Sequence, residues 1–264
     1  MCIKAKIIRM GNKASRILKL QRFISEQGAR SVIRKSIFRI LYGIRPMRSL
    51  VELFIFKGDL ERRFRLIHRL NYWNSFESVS GNGSTIFMTS ELKLPLIKLM
   101  KKFEIQSICD APCGDFSWMK EIISEINILY KGIDIVPELI KSLRVYEKTN
   151  ISFEQGDIRF VDFSNFDLIL VRDCLFHLSY DDIDTFLRNL SKYDYKYLLT
   201  TSYVSDSSFH NIDIDTGDFR KIDLFSHPFN FSSSVSSSIP DWAPPESERY
   251  LYMWEKKKVP VSLF

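Results

Sequence analysis

The stretch Ile108-Cys109-Asp110-Ala111-Pro112-Cys113-Gly114-Asp115-Phe116-Ser117-Trp118 decides how this chain folds. It begins as a buried strand, passes through a tight turn built on Asp110 and Gly114, and enters an apolar-periodic helix. A second acid, Asp134, closes the next strand-like run, Leu129-Tyr130-Lys131-Gly132-Ile133-Asp134, 24 positions after Asp110. A strand, a turn, a helix and then an acid about 20 residues on is the layout of a nucleoside-binding crevice in a doubly wound sheet. The turn lacks the full glycine set that cradles a pyrophosphate. The expected ligand is therefore a nucleoside without phosphates.

Outward from that turn the chain alternates. Strands are expected near 105–110, 128–134, 150–155, 167–172 and 196–202, with helices near 116–125, 136–147 and 181–191 between them. Such alternation makes a parallel sheet. Asp181, Asp182 and Asp184 crowd the first turn of the last helix, where its dipole favours negative charge. Upstream, 50–70 and 90–103 read as helices, the second with Ser90 as its cap and Glu91 in its first turn. Ser80 to Thr85 reads as a loop, too rich in Gly and Ser for a helix. After Tyr203 the alternation stops. A strand is expected near 220–225, a flexible serine-rich piece over Ser232 to Ser238, and a last strand from Arg249 to Trp254.

Composition sets the class. The 264 residues suit one α/β domain with an added segment, and 45% apolar with 27% charged residues is ordinary for a soluble globular protein. Cys2, Cys109, Cys113 and Cys174 lack paired zinc spacing, so a reducing compartment, no disulfide and no metal are expected. No apolar run approaches the roughly 18 residues that span a bilayer.

The net charge of +6 is unevenly placed. Residues 1–50 hold thirteen Lys/Arg and one acid, a balance of +12, so the other 214 residues carry +6 − 12 = −6. We therefore divide the chain into a basic helical extension, 1–50, and a domain, 51–264. Apolar positions at helical spacing (Ile17, Leu20, Ile24, then Ile33, Ile37, Ile40) lie among the cations, with Gly28 parting two helices. Three readings stand for this segment: an amphipathic contact with anionic membrane, a packed extension with solvated cations, or an organellar targeting peptide. Nucleic acid is the other anionic partner the charge admits. The expected location is cytoplasmic, peripheral to a membrane.

In a doubly wound sheet the crevice lies at the carboxyl ends of the strands. Asp110 and Gly114 at the first end read as a ligand cradle or as an ordinary capped turn. Asp134 at the second offers two acceptor oxygens to a ribose, or caps the helix that begins at Pro137. Asp157, after Ser152-Phe153-Glu154-Gln155-Gly156, is placed to accept from an adenine amino group, or is a solvated acid. At the fourth end, Arg172, Asp173 and His177 follow the apolar run Leu168 to Val171. An imidazole with an ordinary pKa near 6.5 suits proton removal from a hydroxyl at neutral pH. Asp173 is the candidate to orient it or to contact the cofactor. The alternative is a satisfied histidine beside an Arg172–Asp173 structural pair.

These blocks together resemble the class I S-adenosylmethionine-dependent methyltransferases over residues 78–256. The similarity is greatest to a small-molecule branch with the turn Asp-Ala-Pro-Cys-Gly-Asp-Phe, an upstream Ser-Gly-x-Gly-Ser loop (Ser80 to Ser84) and a late Gly-Asp-(Trp/Phe)-Arg block (Gly217 to Arg220). The resemblance implies a Rossmann-like α/β sheet of seven strands whose late pair is antiparallel at one edge. It implies S-adenosylmethionine as cofactor, held by Asp110, Cys113, Gly114, Asp134 and Asp157; Ala111, Pro112, Ile135, Ile158 and Arg172 beside them complete the expected cofactor site. His177 and Asp173 are the expected catalytic pair. Ser84, Thr85 and Arg220 are the expected substrate contacts, with His210 and Asn211 as further candidates. Pro112 and Phe116 stand where the broad family usually has glycine. The expected reaction is in-line methyl transfer to a small-molecule or glycan hydroxyl. The alternative is a nucleic-acid-binding protein or RNA methyltransferase using the basic segment.

Overall fold

The computed structural model describes residues 55, 57–73, 78, 80–244 and 246–264. The expected helices of the basic extension, the boundary at residue 50 and most of residues 50–59 lie outside them. The first full element is α1, Leu60–Leu70, whose N-cap Asp59 accepts from the Arg62 amide at 2.8 Å. A short helix, α2 (Ile86–Thr89), and α3 (Lys93–Lys102) precede the sheet.

Seven strands then form one sheet. They are β1 (Ser107–Asp110), β2 (Leu129–Asp134), β3 (Ile151–Gln155), β4 (Phe166–Val171), β5 (Tyr195–Tyr203), β6 (Ser237–Pro240) and β7 (Arg249–Glu255). The helices between them are α4 (Met119–Ile123), α5 (Pro137–Leu143) and α6 (Tyr180–Leu190). The order across the sheet is β3-β2-β1-β4-β5-β7-β6. The first five strands are parallel, and β7 runs antiparallel to both its neighbours.

Period-two alternation builds a core on each face of the sheet. Ile108, Leu168 and Leu170 point to α3 and α4, meeting Leu96, Met100, Met119 and Ile122. Cys109, Ile169 and Val171 point the other way, to Ile183, Phe186, Leu187 and Leu190 of α6. Each fully buried side chain of this size stabilises by about 1.5–3 kcal/mol. Two-sided burial is why β4 reads as an unbroken apolar run.

Four expectations change. The segment 220–225 is not a strand. Ile222 and Leu224 are fully buried, but the Leu224 amide donates to the Ser202 hydroxyl at 2.9 Å rather than to a strand backbone. The missing edge strand is β6, which starts within the serine-rich piece expected to be flexible. Ser90 does not cap α3: it closes α2, and its hydroxyl donates to the Phe87 carbonyl at 2.9 Å. Asp184 lies beyond the first turn of α6, where it pairs with Arg188 at 2.6 Å, while Ser179 is the cap.

The strand order reverses between β1 and β4. Their carboxyl ends part there, and a cleft opens at the switch point.

Candidate active site

The turn after β1 is held from three sides. The Ala111 amide donates to the Leu170 carbonyl at 2.9 Å and the Cys113 amide to the Ile133 carbonyl at 2.8 Å, tying the turn to β4 and β2. The Gly114 amide donates to Asp134 Oδ2 at 3.1 Å. Gly114 (φ 57°) and Phe116 (φ 58°) both occupy the left-handed region. That explains the glycines of related turns: Phe116 accepts the strain and inserts its ring between Tyr130 and Phe153, with centroids 5.0 Å away in each case.

Asp110 and Asp134 lie 2% and 6% exposed at neighbouring strand ends. Burial pushes the Asp110 carboxyl up to about 7, against the pull of the Tyr130 hydroxyl (2.7 Å) and the Arg172 charge. Burial raises Asp134 to about 6, against the amides of Val136 and Gly114. Two buried acids with amide and hydroxyl donors favour an incoming cation.

At the fourth strand end, Asp173 (φ 50°) turns the chain into a short 3₁₀ helix, Leu175–His177. Nδ1 of His177 is 2.7 Å from the Asp218 carbonyl oxygen. A carbonyl only accepts, so Nδ1 carries the proton and Nε2 the lone pair. Burial holds this imidazole below its ordinary value, so it is neutral at pH 7. The Trp73 ring stacks on it, centroids 4.9 Å apart and 27° between planes.

Asp110, Gly114, Asp134, Asp157, Asp173 and His177 all line one cleft. Residues 108–193 match a family described as methyltransferase domain. Those residues carry a methyltransferase domain. Solved methyltransferases overlap it more loosely. Human N-acetylserotonin methyltransferase in complex with S-adenosylmethionine is 15% identical, with TM-score 0.46 over 63% of this chain and 54% of that one. A putative O-methyltransferase from Nostoc punctiforme is 15% identical, with TM-score 0.45 over 63% and 57%. The 1,6-didemethyltoxoflavin-N1-methyltransferase of Burkholderia thailandensis, with its substrate and S-adenosylhomocysteine bound, is 15% identical, with TM-score 0.49 over 66% and 81%. This chain thus spans a little over half the length of the first two. Among the curated proteins nothing matches.

The cofactor of class I methyltransferases is S-adenosylmethionine, and the methyltransferase cleft fits it. Asp110 is a buried acceptor suited to an ammonium and Asp134 offers its oxygens to a ribose, while Gly114 lets the Ser80 loop close on the turn. A Cβ there would lie 2.4 Å from the Ser80 hydroxyl.

The expected cofactor residues Ala111, Pro112, Cys113, Ile135, Ile158 and Arg172 also line the cleft, as does Ser84. Their roles differ, however. Arg172 is a strut: its guanidinium grips Asp241 at 2.9 and 2.7 Å, donates to the Gly83 carbonyl at 2.9 Å and lies over Trp118. The Asp157 carboxylate is held by Arg159 at 2.6 Å, and Arg159 reaches Asp182 at 2.6 Å. Asp173 does not orient His177; its carboxylate faces Arg249 and Arg172, each at 3.5 Å, while the Asp218 backbone sets the imidazole.

The substrate contacts expected outside the turn are mostly structural. Thr85 caps α2, accepting from the Met88 amide at 3.3 Å. Arg220 is 4% exposed and donates to the Leu178 carbonyl at 2.6 Å. Asn211 bonds the carbonyls of Asp223 (2.9 Å) and His227 (3.0 Å), and His210 bonds the Ser208 carbonyl at 2.9 Å. None of these four lines the cleft.

Other residues do. Leu60, Phe64 and His68 of α1, with Trp73, form the wall opposite the strand ends. Ser78 and the 80–84 loop dock on the cofactor turn: the Ser80 hydroxyl accepts from the Asp115 amide at 3.0 Å, and Ser78 donates to Asp115 Oδ2 at 2.7 Å. The Ser-Gly-x-Gly-Ser pattern flagged the loop. Nothing local in the sequence flagged α1, because its place at the cleft is set by long-range packing. The free cysteines Cys109, Cys113 and Cys174 are buried, and burial raises each thiol. They are inert fillers rather than nucleophiles.

Proposed function

We propose that this protein is an S-adenosylmethionine-dependent methyltransferase acting on the hydroxyl of a small molecule or glycan, with His177 as general base. The observation that carries this reading is the 2.7 Å contact of Nδ1 with the Asp218 carbonyl, which leaves a neutral Nε2 lone pair on a ring that lines the cleft. The cofactor supplies an activated methyl on sulfur. Asp134 and the Gly114 turn hold its adenosyl part, and Asp110 is suited to its ammonium. His177 would take the acceptor hydroxyl's proton on Nε2 as that oxygen attacks the methyl carbon in line with the carbon–sulfur bond that breaks, its electron pair passing to sulfur.

The aromatic wall of Phe64 and Trp73 suits the flat apolar face of a sugar ring or an arene. Positioning in such a cleft lowers a barrier by up to about 7–11 kcal/mol. We assign residues 1–48 to the surface of an anionic membrane, on the strength of their charge alone.

Labelled methyl transfer from S-adenosylmethionine into metabolite and glycan fractions tests the activity. Replacement of His177 by Ala should depress transfer far more than affinity for S-adenosylhomocysteine. Full transfer by that variant sinks the base. Flotation with anionic vesicles tests the membrane arm: deletion of 1–48 should abolish binding while sparing cofactor affinity. If the binding instead follows RNA in a salt-dependent way, the nucleic-acid reading takes its place.

A further inference from the structure

A three-residue 3₁₀ helix such as Leu175–His177 makes too few internal bonds to fix the side chain it carries. Its last carbonyls point outward and need donors from elsewhere. The late block Gly217-Asp218-Phe219-Arg220 provides them. The Arg220 amide donates to the Phe176 carbonyl at 3.2 Å, the Gly217 amide to the His177 carbonyl at 2.7 Å, and the Arg220 guanidinium to the Leu178 carbonyl at 2.6 Å. Three consecutive carbonyls are thus claimed by one four-residue stretch.

The same stretch returns the Asp218 carbonyl to the imidazole. Gly217 sits at φ 104°, a conformation other residues adopt only under strain, so this path needs the glycine. Arg220 is anchored in turn by the Tyr180 ring, 5.3 Å from the guanidinium carbon. Trp73 closes the imidazole from its face at 4.9 Å, and Phe176 and Phe219 lie tilted beside it at 4.7 and 5.9 Å.

We infer that Trp73 and the Gly217–Arg220 block are positioning elements that fix His177 in its Nδ1-protonated tautomer, with Nε2 held as the proton acceptor. This rests on the reading of His177 as the base, but the geometry is measured separately from the activity. The block touches the base and not the cleft, which reverses the substrate role that Arg220 has by motif alone. A free imidazole populates both tautomers and several rotamers. One held on a carbonyl and under an indole has one of each, and a displacement of about 1 Å costs a reaction on the order of 100-fold. The charged groups around the ring are Asp173 at the end of β4, Asp218 and Arg220 of the late block. His68 of α1 lines the same cleft.

The test is nitrogen-15 NMR of the full chain labelled at its four histidines, with the His177 signals assigned by their loss in His177→Gln. The wild type should show a protonated Nδ1, an unprotonated Nε2 and a midpoint below the ordinary 6.5. Trp73→Leu should move the midpoint up toward 6.5, bring the two nitrogen shifts together and lower kcat by about tenfold or more, with affinity for S-adenosylhomocysteine unchanged. Trp73→Phe, which keeps a ring face, should restore the wild-type spectrum. Arg220→Met should act like Trp73→Leu if it folds; Trp73→Leu decides the matter if it does not. A wild-type spectrum with Nε2 protonated overturns the inference, as does Trp73→Leu with unaltered midpoint and shifts. Full transfer by His177→Ala would remove the base and leave the spectral result standing.

Discussion

The Asp134 carboxylate accepts the Gly114 amide at 3.1 Å, so the acid that ends β2 also holds the turn that follows β1. Its other oxygen takes the Val136 amide at 2.9 Å. The carboxylate thus fixes the cradle and retains one lone pair on each oxygen for a ligand. Replacement by Asn puts an NH₂ against one of those amides. Charge-assisted bonds of this kind contribute about 1.5–3 kcal/mol. Calorimetry with S-adenosylhomocysteine should therefore find affinity reduced by ten-fold or more, on the order of that loss. Unchanged affinity would place the adenosyl group elsewhere.

Asp110, raised by burial to about 7, gives a signed pH dependence. An unfolded Asp titrates near 3.9. Between about pH 4 and 7 the unfolded chain has lost this proton and the folded chain keeps it, so ligand-free stability falls as pH rises through that window. Cofactor binding runs the other way, because only the ionised carboxylate pairs with an ammonium. Affinity for S-adenosylhomocysteine should rise from pH 6 to 8. Tyr130→Phe removes a hydroxyl that favours the ionised form and should shift that rise to higher pH. A flat profile in both proteins would refute the pairing.

The buried Arg172–Asp241 pair locks the end of β4 to the end of β6, with both side chains 3% exposed or less. Asp241→Ala leaves a buried guanidinium with a much reduced set of acceptors, a change that costs about 3–5 kcal/mol. Urea unfolding should show the loss. Joint replacement by Arg172→Met and Asp241→Leu should recover most of it, since an apolar pair carries no stranded charge. A double variant as weak as the single one would mean that the charges are needed for shape.

Gly83 is the close approach between the 80–84 loop and the fourth strand end. A Cβ there would lie 2.1 Å from Asp173 Oδ2. Gly83→Ala should lift the loop, lower the melting temperature and expose the 80–84 backbone to hydrogen exchange. Exchange as slow as in the wild type would show that the loop is held without this fit.

The parallel half of the sheet was legible because its strands are buried on both faces and its turns carry polar residues at fixed places. Asp110 and Asp134 were found at the cleft because each ends a strand, and Asp157 and His177 because each soon follows one. The edge was less legible. Ile222 and Leu224 alternate like a strand because they fill the core, and β6 hides in serines because an edge strand can pair through backbone alone. Arg220 and Thr85 looked exposed and polar. Their partners, the Leu178 carbonyl and the Met88 amide, are main-chain groups that side-chain chemistry does not announce. Trp73 was invisible as a site residue because its neighbour His177 is more than a hundred positions away.

Helix α1 lines one wall of the cleft, and it is tied to the body both by the packing of Phe64 on the core and by polar contacts. Arg65 meets Glu138 at 2.9 Å, Gln155 meets Glu61 at 3.1 Å, and Arg63 reaches the Thr216 carbonyl. Exposed ion pairs of this sort each contribute about 0–1 kcal/mol, far less than a packed apolar contact. Ionic strength weakens the ionic share of those ties and leaves the apolar share, so added salt should loosen this wall only in part.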